Sequence, residues 1–358
     1  MQKEGGDSVM AWEEVQQRVV NLREPREVAE IRRFLQTFQL GFDADVEYTT
    51  ALYQNDEMVG TGSFAGPVLR NIAVLPEYQG GGHTAGMVSQ LMAEQQRRGI
   101  FHYFLFTRPD KAHLFAGLGF REVARAEPYA VLLETGIGSV HEYCRGLGAA
   151  VAHLPAGRRA GLVVNCNPFT FGHRAVIARA AAENAAVVVF VVSEDRSLFP
   201  FADRIRLVRE GVADLDNVVV LPGGDYIISQ VTFPAYFTRG EDTILAQTRL
   251  DAVIFATHIA PAAGINVRYV GDEPYCAVTA AYNRALAEIL PAHGVEFTIM
   301  DRVAVEDEVI SASKVRDLIR REQWDEIRRF VPATTYRYLR SDAAKTVVEK
   351  IKGSASRH

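Results

Sequence analysis

The second part of this sequence alternates short apolar runs with segments whose apolar residues recur at helical spacing. A chain that alternates strand and helix in this way forms a parallel sheet with helices on both faces, the Rossmann-like α/β class. Ligands of such sheets bind outside the carboxyl ends of the strands, near the point where the strand order reverses. The pattern predicts strands near 161–165, 185–192, 217–221, 251–256, 266–270 and 295–300, and helices from 172, over 201–213, over 276–290 and from 313.

The first part follows a different pattern, in which short strands are joined by turns. EYTTALY, MVGTGSF, LRNIAV and YFLFT are predicted strands, and Asn55 and Asp56 mark a turn between the first two. A glycine-rich loop and an amphipathic helix stand between the third and the fourth. Residues 136–158 carry five glycines and a proline, which is typical of a connection between domains. We therefore expect a first domain at 1–135, a linker at 136–158, a second domain at 159–340 and a C-terminal tail at 341–358.

Composition is consistent with two such domains. At 358 residues, 48% of them hydrophobic, the chain is too long for one ordinary core and has enough apolar material for two. A net charge of −5 gives no basic surface for DNA or RNA, so no nucleic-acid partner is expected. The three cysteines, Cys144, Cys166 and Cys276, form no CxxC pair, and no run has the length and apolarity of a membrane span. We expect a cytoplasmic protein without a disulfide framework or a structural metal site.

Thr170-Phe171-Gly172-His173 stands where the first predicted strand of the second domain turns into a helix. The first turn of a helix presents unpaired N–H groups and the positive end of the helix dipole, so such a corner suits phosphate groups. Gly172 lets the backbone come close to a ligand, while Thr170 and His173 can donate hydrogen bonds to it. An ordinary capped helix start would also explain these residue types.

The segment ISASKVRDLI, residues 310–319, offers a second corner of the same kind. Ser311 and Ser313 supply hydroxyls, although both are also common helix-capping residues, and Arg316 adds a cation one turn into the helix. The two corners resemble the (H/T)xGH and ISSTxxR signatures of nucleotidylyltransferases. That resemblance implies ATP phosphates held between them, with His173, Thr170, Arg316, Ser311 and Ser313 as catalytic residues and Asn167, Pro168, Phe169, Gly172, Gly271, Asp272, Glu273 and Lys314 as further ATP-binding residues.

A third motif lies in the first domain. VLPEYQGGGHTAG resembles the acyl-CoA-binding loop of GNAT acetyltransferases, and LFAGLGF, residues 114–120, strengthens the likeness. Glycines at a helix start let successive N–H groups surround a pyrophosphate. The resemblance implies a GNAT-like α+β domain that holds a CoA-like group. Two departures from the family pattern are Thr84, where a small residue is expected, and Phe115, which stands in place of the tyrosine that often protonates the leaving thiolate. The implied contact residues are Gln79, Gly80, Gly82 and Thr84.

Taken together, the motifs extend the resemblance over nearly the whole chain. NCNPFTFGHR, SEDRSLFPFADRIRLV, GGDYIISQVTFPAYF, YVGDEPYCAVTAAYN and ISASKVRDLI are similar to segments of the citrate lyase ligase family, which also has a GNAT-like first domain. The resemblance implies that ATP and acetate are used, with release of AMP, to acetylate the thiol of a CoA-derived prosthetic group on the acyl carrier subunit of citrate lyase. Mg²⁺ is expected to accompany ATP through phosphate oxygens and water, so no protein metal cluster is predicted.

Weaker candidates and two other functions stay open at this point. Arg204, oriented by Asp195, is a candidate for binding a carboxylate or phosphate, with a surface ion pair as the alternative. Tyr275, Thr279 and Tyr282 are candidates for contacting acetate or the pantetheine arm, or for core packing. The alternative functions are an adenylyltransferase that makes a pantetheine or CoA-type cofactor, and an acetyl-CoA-dependent acetyltransferase whose second domain senses nucleotide.

Overall fold

A computed structural model describes residues 15–79, 81–195, 197–229, 231–232, 241–272, 277–301, 304–305 and 308–354. Gly80, Glu273 and Tyr275, three of the candidate site residues, lie outside the described residues. In the described part, no helix is both long and apolar enough to cross a membrane.

The first domain is built on a seven-stranded mixed sheet with the order β1-β2-β3-β4-β5-β7-β6. Neighbouring strands are antiparallel except β4 and β5, which pair in parallel at only two positions. Asn55 and Asp56 have φ values of 51° and 62°, the conformation that a two-residue hairpin turn requires. The elements are β1 Gln16–Val19, α1 Pro25–Thr37, β2 Tyr48–Gln54, β3 Glu57–Ala65, β4 Val68–Val74, α2 His83–Arg97, β5 His102–Thr107, α3 Ala112–Ala116, β6 Arg121–Ala126 and β7 Ala130–Gly136.

The second domain is built on a five-stranded parallel sheet with the order β10-β9-β8-β11-β12. The chain runs outward from β8 to β10 and then returns to the other side of β8, so the strand order reverses between β8 and β11. The elements up to that reversal are α4 Val140–Val151, β8 Arg159–Val164, α5 Phe171–Glu183, β9 Ala186–Val191, α6 Phe201–Gly211 and β10 Val218–Pro222. They are followed by α7 Glu241–Ile254, α8 Ala260–Ala263, β11 Val267–Gly271, α9 Ala277–Ala292, β12 Glu296–Met300, β13 Ala304–Val305, β14 Glu308–Val309, α10 Ala312–Arg320, α11 Trp324–Ile327, α12 Ala333–Leu339 and α13 Lys345–Gly353.

The α+β class expected for the first domain and the parallel α/β class expected for the second are confirmed, but one predicted strand is wrong. Residues 251–256 belong to the end of α7 and to a π-helical turn, Phe255–Ile259, and not to a strand. Asp251, Ala252, Ile254 and Phe255 are all buried. A short apolar run buried on every side looks the same in a strand and in a helix, so periodicity could not separate the two.

The two domains share one hydrophobic core. Phe104 and Leu132 from one face of the first sheet belong to the same buried cluster as Ile227, Leu250 and Phe255 of the second domain. The predicted linker contains α4, and its residues Val140, Leu147 and Val151 are buried in that cluster. The predicted tail contains α13, whose Val347 and Ile351 are buried in the other core of the second domain. The first sheet is therefore fixed directly against the helices α4, α7 and α8.

Candidate active site

The corner between β8 and α5 is held by a reciprocal pair of hydrogen bonds. Thr170 is the N-cap of α5, and its hydroxyl accepts a hydrogen bond from the backbone N–H of His173. The Nδ1 atom of His173 in turn accepts from the backbone N–H of Thr170 at 3.1 Å and lies 2.8 Å from the Thr170 hydroxyl. This capping box fixes the imidazole at the start of the helix.

These contacts determine the chemistry of His173. Desolvation lowers the pKa of this imidazole to about 4, so the ring is neutral at physiological pH. Because Nδ1 accepts from the backbone, the single proton of the neutral ring lies on Nε2. His173 therefore offers an N–H donor that needs no protonation, and the residue as a whole is half-buried.

The three residues that precede Thr170 are buried and hold this corner in place. The ring of Phe169 stacks on that of His173 with centroids 6.0 Å apart and is fully buried. Asn167 accepts from the backbone N–H of Phe199 at 3.1 Å, and its own carbonyl oxygen accepts from the guanidinium of Arg316. Asn167, Pro168 and Phe169, which were expected to bind ATP, are thus buried residues that shape the corner.

The second corner is the start of α10. Ser311 is the N-cap, with its hydroxyl accepting from the backbone N–H of Lys314 at 3.2 Å. The hydroxyls of Ser311 and Ser313 lie 3.0 Å apart, and Ser313 is exposed. Burial lowers the pKa of Arg316, with a smaller contribution from Arg320, but an arginine remains charged. Two hydroxyls thus lie at this helix start, and Lys314 and Arg316 follow within the next five residues.

The two corners are in contact. A methyl group added at Gly172 would lie 3.1 Å from the carbonyl oxygen of Ile310, the residue just before Ser311. We expected Gly172 to permit a close approach to a ligand, and the structure shows that it permits close packing of α5 on the second corner. Arg316, on α10, reaches Asn167 beneath the first corner. The helix starts of α5 and α10 therefore lie side by side at the point where the strand order reverses, as sheets of this class require of a ligand site.

The structure places Arg204 differently from our expectation. Its side chain is fully buried, and its guanidinium donates to the carbonyl oxygens of Phe199, Val192 and Glu194. It also donates to the backbone and side-chain oxygens of Asn165. With these bonds Arg204 ties together the segments that follow β8 and β9, and it does not face a ligand. Asp195 lies 3.9 Å away and instead accepts from the backbone N–H of Phe201 at 2.5 Å.

Two further candidate ATP-binding residues are exposed, and one candidate for contacting acetate or the pantetheine arm is buried. Gly271 and Asp272 are exposed at the carboxyl end of β11, beside the reversal point. Tyr282 is buried, and its hydroxyl donates to the buried carboxylate of Asp251 at 2.6 Å, which supports the core-packing interpretation.

Cys166, directly before the first corner, is buried, and desolvation raises the pKa of its thiol, so it is not a nucleophile at neutral pH. Within the described residues, no cluster of three His, Cys, Asp or Glu could hold a metal ion.

The glycine-rich loop of the first domain borders a separate cavity of about 380 Å³. Gly82 is the N-cap of α2, with φ of 78°, and no side chain caps this helix. The Gln79 side chain donates to the backbone carbonyl of Val74 at 2.8 Å. Three cations, Arg70, Arg108 and Lys111, line the cavity, and among its described lining residues there is no Asp, Glu, His, Cys or Tyr. The remaining lining is mainly apolar and includes Phe115 and Thr84.

Comparison with known proteins agrees with these motifs. The model of the citrate lyase ligase C-terminal domain matches residues 159–339. The chain is 36% identical to the [citrate [pro-3S]-lyase] ligase of Klebsiella pneumoniae, over 88% of this chain and 93% of that protein. It is 33% identical to the Escherichia coli protein of the same name, over 90% of this chain and 93% of that one.

Two more distant likenesses concern single domains. A phosphopantetheine adenylyltransferase of Corynebacterium glutamicum is 35% identical over 69 residues, which is 18% of this chain and 43% of that protein. A solved GNAT-family acetyltransferase of Staphylococcus aureus aligns with 34% of this chain and 100% of its own, at 12% identity and a TM-score of 0.30. Relatives that match over 88–90% of this chain are named as ligases of citrate lyase, and the chain belongs to the citrate lyase ligase family.

Proposed function

We propose that this protein activates citrate lyase by acetylating the thiol of the prosthetic group on the lyase's acyl carrier subunit. Acetate and ATP are the other substrates, and AMP and pyrophosphate are the products. The observation that carries the proposal is the contact between the two corners, because it gathers the donors and cations that a triphosphate needs at one place. Membership of the ligase family supplies the substrate class.

The first step is attack of an acetate oxygen on the α phosphorus of ATP, which breaks the bond to pyrophosphate and forms acetyl adenylate. Negative charge passes to the leaving pyrophosphate, so the enzyme gains most from fixed donors placed around it. The Nε2–H of His173 and the hydroxyls of Ser311 and Ser313 are such donors, and Lys314 and Arg316 supply positive charge. Thr170 holds the imidazole in the donating orientation. Mg²⁺, bound through phosphate oxygens and water, would neutralise further charge.

In the second step the carrier thiol attacks the acetyl carbonyl carbon and AMP leaves. We assign ribose and adenine contacts to the exposed end of β11, with Gly271, Asp272 and Glu273. We assign the phosphate-bearing arm of the prosthetic group to the cavity of the first domain, beside Gln79, Gly82 and Thr84. Gly80, the other residue expected there, lies outside the described residues. An uncapped helix start and mainly apolar walls suit an arm of that composition. The three lining cations are each paired with an aspartate, Arg70 with Asp45 and both Arg108 and Lys111 with Asp110.

The two other functions that the sequence left open are less well supported. The likeness to a phosphopantetheine adenylyltransferase covers only 18% of the chain. An acetyl-CoA-dependent acetyltransferase commonly uses a general base and an acid at its cavity, and the described lining contains no Asp, Glu, His, Cys or Tyr for those roles. An adenylyltransferase would release a dinucleotide-type product, and an acetyltransferase would label the carrier from acetyl-CoA without ATP.

Acetate-dependent exchange of labelled pyrophosphate into ATP tests the first step. His173→Ala should lower this exchange by on the order of 10²-fold or more, because it removes a donor to the leaving group. His153→Ala is the matched control, since His153 is exposed in the segment between the domains, and it should exchange like the native protein. Unchanged exchange in His173→Ala would remove this residue from the site.

A further inference from the structure

A buried carboxylate joins the two domains. Glu134 of β7 is 5% exposed, and its oxygens accept from the backbone N–H of Val140 at 2.9 Å and from Nε2 of His102 at 3.0 Å. It also accepts from the hydroxyl of Tyr226, in the second domain. Burial by itself opposes ionisation, but the hydrogen bonds from His102, Tyr226 and Val140 leave the pKa of Glu134 below its usual value. Glu134 is therefore an anion at neutral pH.

This anion sets the tautomer of His102. A carboxylate only accepts hydrogen bonds, so Nε2 of His102 carries the proton and Nδ1 of the neutral ring carries the lone pair. A carboxylate also orients the general base of serine hydrolases, although there it binds Nδ1 and leaves Nε2 as the basic nitrogen. Gly138 lies close to Nδ1: a methyl group at this position would lie 3.1 Å from Nδ1, and Gly138 has φ of 110°. The basic nitrogen is thus not covered by a side chain at 138, and the His102 side chain is 20% exposed.

His102 lies at the carboxyl edge of the second sheet. Tyr226 belongs to the turn Gly224–Tyr226, which directly follows β10. The backbone N–H of Gly224 donates to the hydroxyl of Ser193, which follows β9, at 2.9 Å. Substrates of a parallel sheet lie over this edge. The first corner follows β8, two strands from β10 in the same sheet, and the second corner packs against the first. The first domain thus presents an oriented imidazole at the β10 side of this carboxyl edge.

The second step of the proposed reaction needs a base. A thiol with an ordinary pKa of about 8.5 is mostly protonated at neutral pH, and only the thiolate is a good nucleophile. We infer that His102 of the first domain is the general base that deprotonates the carrier thiol, a role that rests on the function proposed above.

The groups named above account for the proton and for each bond formed or broken in this step. The thiol proton passes to Nδ1 of His102 as the sulfur electron pair forms a bond to the acetyl carbonyl carbon. The bond between that carbon and the phosphate oxygen breaks, and AMP leaves with the electron pair. The imidazolium that results is stabilised by Glu134 and later returns its proton to water. Asp225, on the turn after β10, adds a second carboxyl group that interacts with His102, and the other titratable groups around the pair are Tyr226, Cys144 and Glu194.

His102→Gln tests the inference, because the amide still donates to Glu134 but cannot take a proton. Pyrophosphate exchange, which reports the first step, should stay within about twofold of the native rate. Transfer of labelled acetyl to the thiol form of the citrate lyase acyl carrier should fall by about 10²- to 10⁴-fold at pH 7. The deficit should shrink as the pH approaches the thiol's own pKa of about 8.5. Added imidazole should raise transfer by His102→Ala at least tenfold, which a structural role would not produce.

His141→Gln is the control, since His141 is an exposed histidine whose ring lies 5.9 Å from that of His258 at the same domain boundary, and both assays should be unchanged. Transfer at the native rate in His102→Gln overturns the inference. So does an equal loss of exchange and transfer without imidazole rescue, which would make His102 a structural contact between the domains. Absence of acetate-dependent exchange in the native protein would instead count against the proposed function.

Discussion

His173 shows how a local hydrogen bond decides what a side chain can contribute. The sequence predicted a donor to phosphate next to a helix start that disfavours the charged ring, but it did not predict which nitrogen donates. That follows from the capping box with Thr170, and desolvation adds to the preference for the neutral ring; the four-residue motif reveals neither. Arg204 shows the reverse case: its sequence context suggested a ligand contact, and only the folded chain shows that carbonyl oxygens surround it.

The state of the His173 ring is directly measurable. We expect ¹⁵N NMR of the imidazole to show the neutral Nε2–H form from pH 8 down to about pH 5, with a pKa near 4. Because this pKa is depressed below the unfolded value of about 6.5, protons bind the unfolded state first. The contribution of His173 should therefore lower the free energy of unfolding as the pH falls from 6.5 to 4. A charged ring at pH 6.5 without nucleotide would contradict this account.

At the scale of elements, periodicity predicted most of the second domain. Five of six strands were found within one or two residues of their predicted limits, because each alternates with a helix of clear amphipathic spacing. The sixth failed because five of the six residues at 251–256 are buried, so this run shows no exposed polar face by which a strand and a helix could be told apart. Sequence also predicted both helix starts at the site, but not that α5 and α10 touch, since contact between distant elements leaves no local signal.

Gly172→Ala tests that contact. The added methyl group would lie 3.1 Å from the carbonyl oxygen of Ile310, so one helix start has to move by a few tenths of an ångström. We expect the KM for ATP in pyrophosphate exchange to rise about tenfold, which corresponds to about 1.4 kcal/mol. Gly86→Ala is the matched control, because Gly86 lies inside α2 with no atom within 4 Å of the added methyl. It should leave the KM unchanged and stabilise the helix by roughly 0.5–1 kcal/mol. Equal KM values for both variants would show that the contact does not matter for ATP.

At the scale of the whole molecule, the first domain contributes both apolar packing and charged side chains to the second domain. Its sheet shares a core with α4 and α7, and it supplies Glu134 and His102 to the carboxyl edge of the parallel sheet. The sequence predicted two domains and both fold classes, but it gave no sign of this junction. Glu134 stands 32 residues from His102 and 92 from Tyr226, so only the fold brings the three together.

The central claim is that the starts of α5 and α10 form one triphosphate site. The most direct test is an experimental structure of the protein with a non-hydrolysable ATP analogue. We predict phosphate oxygens within about 3 Å of Nε2 of His173 and, in the same nucleotide, of the Ser311 or Ser313 hydroxyl. A triphosphate bound in the cavity of the first domain, or one that contacts only one of the two helix starts, would contradict the account.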